Sequence, residues 1–170
     1  VGVCLDTGNP AYAAEDPVVS TEILAPYIVS TQVRDTRVWA VAEGAMAQWV
    51  PLGQGNVDLH RIRDILSQRA PDVAFNLEII TGGEAVRIPY AQPGSDFWRA
   101  YPDMLARDFA RFVALAKSGH PFMGAMVVED VAGKKPAVMD EALKEQQRVD
   151  LERSFEYCRK KLDVGGDWRG

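Results

Sequence analysis

The sequence lacks three features that would each place the protein in a special class. It has two cysteines in 170 residues, Cys4 and Cys158, which is too few for a disulfide framework and typical of reduced thiols inside a cell. No apolar run approaches the roughly 18 residues that a membrane span needs, so no membrane partner is expected. The net charge is −5, which leaves no basic surface for nucleic acid. What is present, 47% apolar residues, is typical of a globular domain, which we expect in the cytoplasm.

The first ten residues predict a buried strand that ends on a carboxylate. Residues 1–5 are mostly apolar, and Gly8 and Pro10 end the strand. Asp6 therefore lies at the carboxyl end of a strand, where the sites of α/β folds form. The alternative is that Asp6 only caps the turn, by accepting hydrogen bonds from the amides of Gly8 and Asn9.

The same pattern of a strand followed by a polar residue recurs twice. Strands are predicted at 27–33 and 73–80, with Gln32 and Glu78 near their ends, and helices separate the three strands. Strands that alternate with helices indicate a parallel sheet, but three strands cannot close a barrel. We therefore predict an α/β fold consisting of the C-terminal βα units of a (β/α)8 TIM barrel.

The predicted domain covers residues 1–170, as the last three βα units of a barrel plus a C-terminal helix. The chain begins at Val1 inside a strand, so it is expected to be truncated at its N-terminus. An open barrel edge is costly, because unpaired strand edges invite pairing with other chains. The chain is therefore expected to form a homo-oligomer or to associate with the missing N-terminal part.

Three further segments complete the predicted layout. A loop of about fifteen residues is expected after the second strand, and one helix is expected from Phe97 to Leu115. A last helix is expected from about Met139 to Leu162, after a less regular segment that includes Lys134 to Pro136. The core face of that last helix is predicted to consist of Leu143, Val149, Leu151 and Phe155.

Four short motifs together resemble the sugar phosphate isomerase/epimerase family, a xylose-isomerase-like barrel group that includes ketose 3-epimerases and endonuclease IV. The motifs are Cys-Leu-Asp-Thr-Gly-Asn at 4–9, Gln-Val-Arg-Asp at 32–35, Pro-Leu-Gly-Gln-Gly at 51–55 and Asn-Leu-Glu-Ile at 76–79. The resemblance implies a divalent metal at the strand ends, held by Glu, Asp, His and Glu from four successive strands. Asp6 matches the Asp, Glu78 matches the last Glu, and the first Glu would lie upstream.

The chain departs from the family at the third ligand. Many relatives have His in a His-hydrophobic-Lys-Asp motif, where this chain has Gln32. The expected metal ligands are therefore Asp6, Gln32 and Glu78. Two carboxylates and an amide oxygen favour Mn²⁺ or Mg²⁺ over Zn²⁺, which prefers nitrogen and sulfur.

Glu78 is the predicted catalytic residue. A carboxylate over a carbon next to a metal-bound sugar oxygen can take and return the proton of that carbon, and the epimerase relatives use their matching Glu both as ligand and as base. The alternative is that Glu78 only pairs with a neighbouring Arg.

Five further residues are candidates for the same site. Asn9 matches a position where epimerases contact their substrate, although it could only shape the turn before Pro10. Arg37 and Trp39, in the predicted loop, could bind a hydroxyl or phosphate and stack on a sugar, or be solvated. Arg34 and Asp35 could form a salt bridge or orient the ligands.

The predicted function is a metal-dependent isomerase or epimerase acting on a sugar or related polyol, or a lyase of the same barrel family. The alternative is a non-catalytic or partner-dependent subunit that binds a sugar or serves as a scaffold. Gln32 in place of His favours the alternative, whereas the presence of both Asp6 and Glu78 favours the enzyme.

Overall fold

In a computed structural model of the protein, which describes residues 1–124 and 137–166, two parallel strands carry the predicted site. Strand β1 (Val3–Asp6) pairs with β2 (Ile28–Gln32), and Asp6 lies opposite Gln32. The third predicted strand, 73–80, is reduced to a single parallel bridge between Val33 and Leu77. Two backbone hydrogen bonds fix this bridge, from Val33 N to the Asn76 carbonyl (2.7 Å) and from Glu78 N to the Val33 carbonyl (2.9 Å). The described residues thus form an α/β structure that does not close a barrel.

The loop predicted after the second strand is wrong, because residues 35–50 form a β-hairpin. Strands β3 (Asp35–Val41) and β4 (Gly44–Val50) pair antiparallel through a two-residue turn. A third strand, β5 (Val86–Ile88), pairs antiparallel with β4. Valine and tryptophan on both sides of a short turn favour strands, so this hairpin could have been found in the sequence.

Helices pack on the strands of both sheets. Helix α1 (Pro17–Leu24) begins after Asp16, whose carboxylate accepts a hydrogen bond from Val18 N. Helix α2 (Leu59–Arg69) is capped in the same way by Asp58, through Arg61 N. The other α-helices of the described residues are α3 (Phe97–Ala100), α4 (Ala106–Ser118) and α5 (Ala137–Tyr157), followed by a π-helical turn at Cys158–Leu162. Short 3-10 helices lie at Asn9–Ala13 and Ala25–Tyr27.

The single helix predicted from Phe97 to Leu115 is wrong. It is divided into α3 and α4 by residues 101–105, which contain Pro102. Proline lacks an N–H and disfavours helical geometry in the residue before it, so the helix stops there. Aromatic rings on both pieces still pack together, for example Trp98 on Phe109 at 4.9 Å between centroids.

The predicted core face of the last helix is wrong at two positions. Leu151 and Phe155 are exposed, whereas the preceding residues Asp150 and Ser154 are buried. These polar residues satisfy buried groups, because the Thr81 hydroxyl donates to Asp150 Oδ2 (2.7 Å) and Leu52 N donates to Ser154 Oγ (3.1 Å). Lys134 to Pro136 lie outside the described residues.

Two apolar clusters hold the described structure together. One lies between the parallel strands and α2, around Leu5, Val33 and Ile62. The other lies between the hairpin and α4, around Val38 and Phe112. Among the helices of residues 1–124 and 137–166, none has both the length and the apolar character to cross a membrane.

Candidate functional site

Arg34 lies between the two carboxylates that the sequence analysis singled out. Its Nε is 3.0 Å from Asp6 Oδ2, and its Nη2 is 2.5 Å from Glu78 Oε2. Neither contact has the angle of a good hydrogen bond, so the attraction is mainly between charges. The exposed fractions of the side chains rise from Arg34 (5%) to Asp6 (11%) and Glu78 (30%). Glu78 is therefore the carboxylate that an incoming molecule reaches most readily.

The two carboxylate oxygens of Asp6 have different partners, and one oxygen caps the turn. Its Oδ1 accepts hydrogen bonds from the amides of Gly8 (2.8 Å) and Asn9 (2.9 Å). Its Oδ2 faces Arg34. Asp6 thus makes the hydrogen bonds of a turn cap, and Glu78 pairs with an Arg. Because two backbone amides and the charge of Arg34 hold Asp6, it is the more constrained of the two carboxylates.

Two aromatic side chains that the sequence analysis did not assign to the site complete the surroundings of Arg34. The guanidinium carbon of Arg34 lies 4.5 Å from the centre of the Trp49 ring, a cation–π geometry. The Tyr12 ring lies 5.3 Å from that of Trp49. Burial raises the pKa of Tyr12 to about 12, so its phenol stays protonated at neutral pH. The pairing of Thr36 with Trp49 in the β3–β4 hairpin brings Trp49 next to Arg34. The sequence analysis predicted a loop in place of this hairpin and therefore did not place Trp49 at the site.

Asp35 does not pair with Arg34. It lies on the opposite side of the chain, where its Oδ2 accepts hydrogen bonds from Gly53 N and Gly55 N, both at 2.9 Å. Its Oδ1 accepts one from Thr36 N at 2.9 Å. Burial raises the pKa of Asp35 to about 7, against the effect of these amides. Asp35 therefore shapes the 51–55 loop rather than forming the salt bridge considered above.

The structure places some of the other predicted site residues near this cluster and others away from it. Gln32 is exposed and lies in register with Asp6, so the two side chains share a face of the parallel sheet. Asn9 is exposed in the turn that follows Asp6. Arg37 and Trp39 are in β3 and alternate with Thr36, so they lie on the hairpin face opposite Trp49. Arg37 donates to the Gln54 carbonyl. The structure therefore gathers Asp6, Gln32 and Glu78, and not Arg37 or Trp39.

The residues present do not fit a divalent metal as they lie. The oxygen atoms of Asp6 and Glu78 are suitable hard donors, but the Arg34 guanidinium is in contact with both carboxylates. No group of three or more His, Cys, Asp or Glu side chains that could hold a metal occurs in residues 1–124 and 137–166. A dication placed between these carboxylates would have to displace a buried positive charge.

The fold and the cluster together define the class of protein, an α/β protein with charged residues gathered at the ends of parallel strands. A family model described as a xylose isomerase-like TIM barrel matches residues 1–107, which is 107 of the 170 residues. The matched part contains both sheets and the Asp6–Arg34–Glu78 cluster. The chain belongs to the xylose isomerase-like TIM barrel family. Searches of curated proteins and of solved structures found no match.

Proposed function

We propose that the protein is a sugar isomerase or epimerase that moves a proton at a carbon next to a carbonyl oxygen, with Glu78 as the base. Membership of a family of sugar-modifying enzymes supports this class. The observation that carries the proposal is the unequal state of the two carboxylates. Asp6 is fixed by two backbone amides and Arg34, whereas Glu78 is the most exposed member of the cluster.

The proposed step is a proton transfer that needs no other reactant. Glu78 takes the proton from the carbon beside the carbonyl, and the electron pair of the broken C–H bond forms an enediolate. The carbonyl oxygen gains negative charge, which the site must stabilise. Delivery of a proton from water to the opposite face of the same carbon, while Glu78 releases its proton to solvent, gives an epimer. Return of the proton from Glu78 to the neighbouring carbon, while the hydroxyl proton passes to the former carbonyl oxygen, gives an isomer. Asn9 and Gln32, both exposed near Asp6, are the proposed contacts to substrate hydroxyls.

The divalent metal implied by the resemblance, Mn²⁺ or Mg²⁺, stays a prediction. Its expected ligands are Asp6, Gln32 and Glu78, and binding there would require Arg34 to leave the carboxylates. A non-catalytic sugar-binding or scaffold subunit is the second candidate. It is favoured by the ion pairs of Arg34, which engage both carboxylates.

Exchange of a substrate C–H proton with solvent deuterium tests the proposal. A panel of pentuloses and hexuloses would be incubated with the protein in deuterium oxide and followed by NMR. Glu78→Gln keeps the shape of the side chain but removes the base, so we expect exchange to fall by about 10²–10⁴-fold. Glu84→Gln, an exposed residue in the same part of the chain, is the matched control and should behave like the wild type.

Two results would contradict the proposal. Equal exchange in Glu78→Gln and the wild type would remove Glu78 as the base. Binding of a sugar without exchange in the wild type would instead support the binding subunit.

A further inference from the structure

Arg34 is held in place by contacts on every part of the residue. Its backbone N donates to Thr7 Oγ1 (2.9 Å), and its carbonyl accepts from the same hydroxyl (2.6 Å). Its guanidinium stacks on Trp49, which in turn contacts Tyr12. The side chain is almost completely buried, so its position is set by the fold rather than by solvent.

Gly8 makes room for this arrangement. A Cβ atom at Gly8 would lie 2.6 Å from Arg34 Cγ and 2.6 Å from Thr36 Oγ1, closer than real Cβ contacts allow. The backbone of Gly8 therefore passes directly over the stem of Arg34. A glycine at this position is explained by the arginine, since a side chain would push the guanidinium away from Asp6.

The guanidinium also retains unused donors. In the part of the chain that the structure describes, Arg34 Nη1 and Trp49 Nε1 are buried without a hydrogen-bond partner. Buried donors are normally paired, so an acceptor supplied by a ligand or by water would satisfy them. The cluster of two carboxylates and one guanidinium has a net charge of −1. Its guanidinium already supplies a positive charge next to both carboxylates.

We propose that Arg34 takes the place of the divalent metal in this protein and is the positive charge that stabilises the developing oxyanion of the substrate. The role of Arg34 in the reaction rests on the proposed function. The claim that Arg34 replaces the metal rests only on the contacts of Asp6, Arg34 and Glu78. Asp6 and Trp49 position the guanidinium, and Glu78 moves the proton beside it. The electron pair of the C–H bond moves into the enediolate, whose oxygen charge faces Arg34. The proton held by Glu78 can exchange with solvent before a proton returns to carbon, so the step balances without a metal or other reactant.

Binding of Mn²⁺ alone tests the claim about the metal. Titration would be followed by electron paramagnetic resonance for the wild type, Arg34→Met, Arg34→Lys and the double variant Arg34→Met/Asp6→Asn. We expect the wild type and Arg34→Lys to bind Mn²⁺ at least about tenfold more weakly than Arg34→Met, a difference of roughly 1.4 kcal/mol. The double variant should lose the gained affinity, because one of the two carboxylates is removed.

The wild type decides the outcome even if an Arg34 variant fails to fold. Stoichiometric Mn²⁺ binding by the wild type at micromolar concentration would overturn the inference. Equal Mn²⁺ affinity in the wild type and a folded Arg34→Met variant would overturn it as well. Arg87→Met, at an exposed arginine in β5, controls for the general loss of one positive charge.

Deuterium exchange in the presence of EDTA separates this inference from the proposed function. We expect the wild type to retain deuterium exchange in EDTA. The exchange rate of Arg34→Met should be lower by about 10²–10³-fold, as when an oxyanion donor is removed. Arg34→Lys should recover part of that loss, whereas a purely structural role would give similar losses in both variants. Exchange that requires added Mn²⁺ would overturn the inference and leave the proposed function intact. If no sugar exchanges under any condition, the proposed function fails, and Mn²⁺ titration still decides the claim about the metal.

Discussion

Gly55→Ala should destabilise the protein by displacing Asp35. A Cβ atom at Gly55 would lie 1.8 Å from Asp35 Oδ1, 2.3 Å from its Cγ and 2.6 Å from the Thr36 carbonyl oxygen. Two of these three atoms belong to a buried side chain and the third to the backbone of β3, so none can move aside freely. The loop must shift, and the hydrogen bonds from Gly53 N and Gly55 N to Asp35 Oδ2 are then lost.

The expected change in the free energy of unfolding follows from the loss of those two hydrogen bonds. Each one to a charged acceptor contributes about 1.5–3 kcal/mol, so their loss should lower the free energy of unfolding by about 3–6 kcal/mol. That is a large share of the stability of a typical domain, about 5–15 kcal/mol. Urea unfolding followed by circular dichroism at pH 8, where the Asp35 carboxyl is ionised, would measure the change.

Gly83→Ala is the matched control, because a Cβ atom there would meet nothing within 4 Å. Its free energy of unfolding should stay within about 1 kcal/mol of the wild type, as for glycine replacements without strain. If Gly55→Ala and Gly83→Ala unfolded at the same urea concentration, the close approach of the loop to Asp35 would not be a constraint on the fold.

Two further predictions concern buried carboxylates. The carboxyl group of Asp35 should titrate near pH 7 when its carbon is followed by NMR. Because its folded pKa lies above the reference value of 3.8, the folded state binds more protons than the unfolded state between about pH 4 and 7. The contribution of Asp35 to the free energy of unfolding therefore falls as pH rises through that range. A measured pKa below 4 would mean that the hydrogen bonds from backbone amides outweigh burial. Thr81→Val should lower the free energy of unfolding by about 1–3 kcal/mol, because it leaves Asp150 without the Thr81 hydroxyl, whereas Thr81→Ser should retain most of the stability. Equal destabilisation by Val and Ser would point to packing instead.

The sequence predicts the parallel part of the fold because the signals there are local. Asp6 follows an apolar run broken by glycine and proline, and β1 ends at that residue. Gln32 likewise ends β2. The pairing of these strands is set by the apolar face that they bury on α2, which the sequence also displays as periodic apolar residues.

The arrangement of charges was less predictable, since it depends on register and on close packing. A pairing of Arg34 with Asp35 is plausible from adjacency, but consecutive residues of an extended chain point to opposite faces. Arg34 consequently shares a face with Gln32 and reaches Asp6 and Glu78, while Asp35 turns toward the 51–55 loop. Strand alternation alone would have predicted this division. The place of Trp49 could not be predicted without first recognising the hairpin.

The segment from Arg34 to Thr36 joins the charged cluster to the loop through the backbone. Arg34 faces the carboxylates, Asp35 binds the amides of the loop, and the Thr36 hydroxyl donates to the Gly8 carbonyl (3.2 Å) beside the Arg34 stem. A movement of the loop at Gly55 would therefore disturb the two residues that follow Arg34, because Asp35 is bonded to the loop amides and Thr36 to Gly8. The position of the guanidinium is thus determined partly by residues that never touch it, and substitutions in the 51–55 loop should affect the site as well as the stability of the fold.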